Sequence, residues 1–135
     1  MEFENKFLID HNIEGQALIL FGAIANQGWL DLIQIQFVFF EEIALPIESS
    51  DRGVWQFAQS NRMLLLTANR SMEGDDSLEQ VMREENTPTS LPIVTISNSN
   101  RVLIDPNYRE KCVESLLEIA LDLNNYLGVG GIFIP

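Results

Sequence analysis

The sequence predicts a three-layer α/β/α sandwich built on a mainly parallel sheet of four to five strands. Three observations predict it. Four short β-type runs alternate with helical patterns along the chain, as strands joined by crossover helices require. The run at residues 63–66 is apolar without alternation, which is what a strand covered on both faces looks like. The length of 135 residues is that of one domain able to bury a core without staples. Residues 1–135 are therefore read as a single domain, with a Gly-rich, apolar tail at 128–135.

Residues 1–5 form a polar lead-in, and residues 6–10 the first strand, with Asp10 at its tip. Asn12 is placed to cap the helix that follows. In that helix Ile13, Ala17, Leu18, Leu20, Phe21, Ile24 and Ala25 share a broad apolar face, and Asn26-Gln27-Gly28 supplies the stop. Residues 32–40, LIQIQFVFF, begin with strict alternation and end as a solid apolar run, which predicts a second strand exposed on one face in its first half. A connector with Pro46 leads to Ser50, the N-cap of a short amphipathic helix. Asp51 lies at the positive end of that helix dipole, Val54, Trp55, Phe57 and Ala58 form its apolar face, and Ser60-Asn61 ends it. The third strand at 63–66 carries Thr67-Ala68-Asn69-Arg70 at its carboxyl end.

Beyond it, Asp76 and Glu79 have capping-box spacing for a helix running to about Glu84. Residues 87–90 are loop, and residues 92–96 a fourth strand followed by the polar stretch SNSN. The clearest helix spans 108–127, where Tyr108, Cys112, Val113, Leu116, Leu117, Ile119, Ala120, Leu123 and Leu127 repeat at three and four and Gly128 ends the pattern. The GVGG that follows is a cap and turn, since a phosphate cradle should follow a strand and precede a helix. The tail then adds an edge strand or lies across a neighbouring subunit.

Composition narrows the function classes. Hydrophobic content of 46% with 21% charged residues is that of a globular domain rather than a disordered one. No apolar run approaches the ~20 residues of a membrane span, and the N-terminus lacks the pattern of a secretory leader, so a cytoplasmic protein is expected. The one cysteine, Cys112, lies on an apolar helix face, the setting of a packed thiol. Twenty acidic against eight basic residues give a net charge of −12, the wrong sign for tight autonomous binding to a phosphate backbone. Arg52, Arg62 and Arg70 flank the capped helix and third strand. They form either a local positive rim or ordinary solvated surface. A lone His11 excludes His-rich metal sites and a catalytic triad, and the aromatic residues fall inside apolar runs, as core residues do.

FLIDHN near the N-terminus, followed by SSDRGVWQFAQSNRMLLLTAN, resembles the PIN-like superfamily of metal-dependent nucleases, in its compact bacterial branch. The resemblance covers roughly residues 6 to 70, and the rest by element order. It implies hydrolysis of phosphodiester bonds by a water held on Mg²⁺ or Mn²⁺, with RNA as substrate. Asp10 is then the first metal ligand and Asp51 the second, although Asp51 serves equally as a helix-dipole carboxylate. Asn69 stands where the superfamily has an aspartate and offers only a neutral amide oxygen; Asp75 or Asp76 is a candidate for the missing acid, or simply part of the capping box. Thr67 is a candidate to orient a water or a phosphate oxygen, and Arg70 to contact the scissile phosphate.

Two functions from different classes follow. One is a ribonuclease, of the kind that forms the toxin of a toxin–antitoxin pair, for which a basic protein partner such as an antitoxin would suit the acidic surface. The other is a catalytically degenerate PIN-like domain acting as an oligomeric interaction module, a dimer in the simplest case. Asp10 with Asp51 favours the first; Asn69 and the charge favour the second.

Overall fold

The computed structural model describes residues 5–68 and 77–135. Among these, five strands form one all-parallel sheet in the order β2-β1-β3-β4-β5: β1 (Asn5–Ile9), β2 (Ile35–Phe39), β3 (Leu64–Ala68), β4 (Ile93–Ile96) and β5 (Gly131–Ile134). Helices cover both faces, which is the predicted three-layer α/β/α arrangement. Because successive side chains of a strand point to opposite faces, the central strands must be apolar throughout. On one face Phe7, Ile9, Leu64, Leu66, Val94 and Ile96 pack against α1 (Glu14–Asn26), α4 (Ser99–Ile104) and α5 (Pro106–Leu121). On the other, Leu8, Leu65 and Ile93 pack against α2 (Asp51–Ser60) and α3 (Leu78–Glu85). No helix among the described residues is long and apolar enough to cross a membrane.

Several elements follow the local pattern closely. Ser50 caps α2, its hydroxyl accepting the Gly53 N–H at 3.0 Å. Gly28 closes α1 with φ of +81°, a conformation that costs glycine little. The tail is the edge strand β5, paired in register with β4. Gly128 also has φ of +81°, and a Cβ there would lie 2.7 Å from the Pro88 carbonyl oxygen, so only glycine lets the chain pass the 87–90 loop on its way to β5.

Other expectations need correction. The second strand does not start at residue 32. The backbone amides of Leu32 and Ile33 both donate to the Trp29 carbonyl in a 3-10 turn, and pairing with β1 begins only at Asn5↔Ile35. Phe40 is likewise lost to a second 3-10 turn, where the Glu42 carboxylate accepts the Phe39 N–H at 3.0 Å. A short helix that no sequence pattern announced, α4, starts at Ser99 within the SNSN stretch and is capped by Asn98. The long helix starts earlier than predicted, because Asp105 accepts the N–H groups of Asn107 and Tyr108 and Pro106 occupies the first turn, where its missing donor costs nothing. It ends at Leu121, the rest of the apolar repeat continuing into a 3-10 turn at Leu123–Tyr126. Ser77 caps α3, its hydroxyl accepting the Gln80 N–H, while Asp76 lies outside the described residues.

Cys112 is fully buried on α5, as its place on the apolar face implies. Burial pushes its thiol from 9.0 up to about 11. Because the folded form holds the proton more tightly than the unfolded chain does, this contribution is whole below pH 9 and is lost as pH rises through 11. Urea midpoints should therefore fall steadily between these limits, and Cys112→Ala should flatten that slope while starting from a lower midpoint at neutral pH. An unchanged slope in the variant would assign the alkaline loss to other groups, Tyr108 among them, whose hydroxyl is also raised by burial.

Candidate functional site

The order β2-β1-β3-β4-β5 sends the chain outward from β1 on one side and then back past it on the other. The reversal lies between β1 and β3, and in open α/β sheets ligands bind outside the carboxyl ends of the strands at such a point. Asp10 directly follows β1 there. Its backbone N–H donates to the Leu66 carbonyl at 2.9 Å, prolonging the β1–β3 pairing by one step. Its carboxylate, only 7% exposed, accepts the Thr67 hydroxyl at 2.6 Å and the Asn12 N–H at 3.1 Å. Asp10 thus serves as the cap of the 3-10 turn His11–Ile13. The cap of α1 expected of Asn12 is not made: Asn12 is already inside this turn, and α1 starts after Ile13 without a side-chain cap.

Thr67 is buried within β3, beside β1, and its hydroxyl is aimed at the Asp10 carboxylate. This contact spans 57 residues of sequence. A short hydrogen bond to an ionised acceptor is among the stronger kinds, and it holds the carboxylate in one orientation.

Asp51 reaches the same place from α2, the helix packed on the Leu8 and Leu65 face of the sheet. As the first residue of α2 it lines, with Asp10, His11, Asn12 and Ser49, one small cavity whose walls are Phe40, Ile47, Val54, Leu65 and Leu78. Its volume is ≈ 60 Å³, whereas a water needs roughly 10–15 Å³ on this measure. It therefore has room for an ion with a few waters. No described Lys or Arg lines it, and among the described residues no three His, Cys, Asp or Glu side chains converge as metal ligands. Asn69, Arg70, Asp75 and Asp76 lie outside the described residues. Of the acids and the hydroxyl singled out from sequence, Asp10, Asp51 and Thr67 are brought to one rim. His11 joins them, half-exposed, with its Nδ1 3.6 Å from Glu14 Oε2 and its ring tilted over Phe40. Ser49 and the apolar walls carry no motif by which sequence could have found them.

The positive rim does not form from the described arginines. Arg52 turns its guanidinium away to Glu84 and Glu85 of α3. Arg62 adopts a left-handed turn before the amino end of β3, at the opposite pole of the sheet, in a groove with Asn5 and Asp122. No protein-family model, no curated protein and no solved structure matches this chain.

Proposed function

We propose that the chain is a PIN-like, Mg²⁺- or Mn²⁺-dependent ribonuclease whose metal is held by Asp10 and Asp51. The observation that supports the reading is that both aspartates line one cavity at the carboxyl edge of the sheet, one following a strand and the other opening a helix. The donor set fits the ion: Mg²⁺ takes oxygen ligands, keeps several waters and is commonly held by one or two carboxylates. The Asn12 N–H donates to one Asp10 oxygen and the Thr67 hydroxyl to the other, so both are held in place. When bound, such a metal supplies an activated water and stabilises the charge that develops on a phosphate.

The chain's own part is to hold and to exclude. The Leu66 carbonyl and the Thr67 hydroxyl fix Asp10, and the Ser50 cap fixes the turn that presents Asp51. Phe40, Val54, Leu65 and Leu78 keep bulk water from the inner wall. On this reading RNA would lie across the cavity mouth with one phosphate directed inward. A basic protein partner, such as an antitoxin, complements a body of charge −12.

A second reading rests on a separate observation: Asp10 already has a use in the fold, as a cap. If that is its whole role, the domain is a degenerate relative that serves as an oligomeric interaction module, for example a homodimer. Calorimetric titration with Mn²⁺, together with incubation of single-stranded RNA, separates the two. The ribonuclease binds the ion and cuts the RNA, and Asp51→Asn loses both. The interaction module does neither and sediments as an oligomer.

A further inference from the structure

α2 follows a connector, residues 44–50, without regular structure, so something other than the chain before it must fix where Asp51 comes to rest. The apolar residues Val54, Trp55 and Ala58 hold α2 on the sheet by non-directional contact, and near its C-terminal end Gln59 exchanges two hydrogen bonds with the Leu91 backbone, at 2.8 and 3.0 Å. Toward its N-terminal end, α3 supplies further directional contacts. The Arg52 guanidinium forms ion pairs with both Glu84 and Glu85, and Gln56 Nε2 donates to Glu85 Oε1 at 3.0 Å. Arg52 and Glu85 are each only about a quarter exposed, at 27% and 28%, so water screens their pair less than it would a surface pair. Glu84 and Glu85 also lie in the last turn of α3, where the helix dipole disfavours acids. The guanidinium offsets that cost, and its planar fork of donors, with several fixed directions, can engage two acids at once as a lysine cannot.

We infer that Arg52 is a positioning residue: clamped to Glu84 and Glu85, it anchors the N-terminal end of α2 against α3 and so sets the approach of Asp51 to Asp10. The inference rests on the metal-holding role proposed for that pair. Arg52 acts through Asp51 and is not among the described residues that line the cavity. Its partners lie on another helix, and this makes the idea testable without altering Arg52 or Asp51.

The experiment compares wild type, Arg52→Gln, Arg52→Lys and the double variant Glu84→Gln/Glu85→Gln, each checked for folding by circular dichroism. Mn²⁺ affinity is measured by calorimetry, and amide hydrogen exchange at residues 51–54 is followed without metal. Arg52→Gln and the double variant should each weaken Mn²⁺ binding about tenfold, the range seen when the support of a metal ligand is removed. Both should lose exchange protection in the first turn of α2, and Arg52→Lys should recover part of each loss. A guanidinium that instead contacted ligand directly would be indifferent to its glutamate partners, so unchanged affinity in the double variant overturns the clamp. If wild type binds no Mn²⁺, the proposed function fails on its own. The clamp is then judged by exchange alone and is overturned if residues 51–54 stay as protected in the double variant as in wild type.

Discussion

Replacing Asp10 by asparagine is expected to remove the response of this protein to divalent metal while leaving the fold in place. At a Mn²⁺ concentration of about 100 times Kd, binding to the native state alone adds about 2.7 kcal/mol of stability. For a domain of this size, each kcal/mol moves Tm by roughly 3–6 °C, so wild type should melt about 10 °C higher or more with the ion. The variant should show no such shift. Asparagine keeps the shape of aspartate and can still exchange a hydrogen bond with Thr67, so the metal-free Tm should move little. What it lacks is the charge and one of two anionic oxygens. A metal contributes several kcal/mol of transition-state stabilisation, and each 1.4 kcal/mol is tenfold in rate. RNA cleavage should accordingly fall by about a hundredfold or more. An Asp10→Asn protein that still gained stability from Mn²⁺ would move the site elsewhere. A large loss of stability without metal would leave Asp10 only its role as a cap.

The largest effect on the fold is expected at Phe7. Its side chain is fully buried near the middle of β1, which pairs with strands on both sides, and its ring meets Phe37 edge-on at a centroid distance of 5.7 Å. Truncation to alanine in such a place costs about 3–5 kcal/mol, because the lost transfer energy is joined by an unfilled cavity. Against a typical total of 5–15 kcal/mol, that is enough to lower Tm by roughly 10–25 °C. Phe133→Ala is the matched control: the same side chain, but on the edge strand β5 and 60% exposed. It should change stability by no more than about 1 kcal/mol. Chemical denaturation of the three proteins decides the matter, and a costlier change at Phe133 would contradict the central place given to β1.

The parts of this fold legible in the sequence are those in which a few adjacent residues specify their own geometry. Ser50 and Asp51 announce the start of α2 because a cap and a helix dipole act within one turn. Gly28 marks the end of α1 for the same reason. Residues 63–66 read as buried strand because both faces of a central strand must be apolar. Where the reading slipped, a competing partner lay outside the window. Leu32 and Ile33 continue the alternation of β2, yet their amides are engaged by Trp29. Ser99 and Asn100 carry no helical pattern, yet Asn98 turns them into the first turn of α4. Three arginines flanking one stretch suggest a single rim, yet Arg52 is claimed by two glutamates from α3, and Arg62 faces the opposite pole of the sheet.

By itself, then, the sequence determined the class of this protein: alternating strands and helices, a core running through both faces of the central strands, and acids at the tip of one strand and the head of one helix. Only the tertiary structure decided that β1 and β3 lie side by side, that the Thr67 hydroxyl bonds the Asp10 carboxylate, and that Asp51 at the head of α2 lines the same cavity. The physical reason is that periodicity and capping act over a turn or two of chain. Strand order, by contrast, is settled by which distant backbone groups find partners once the whole core has closed.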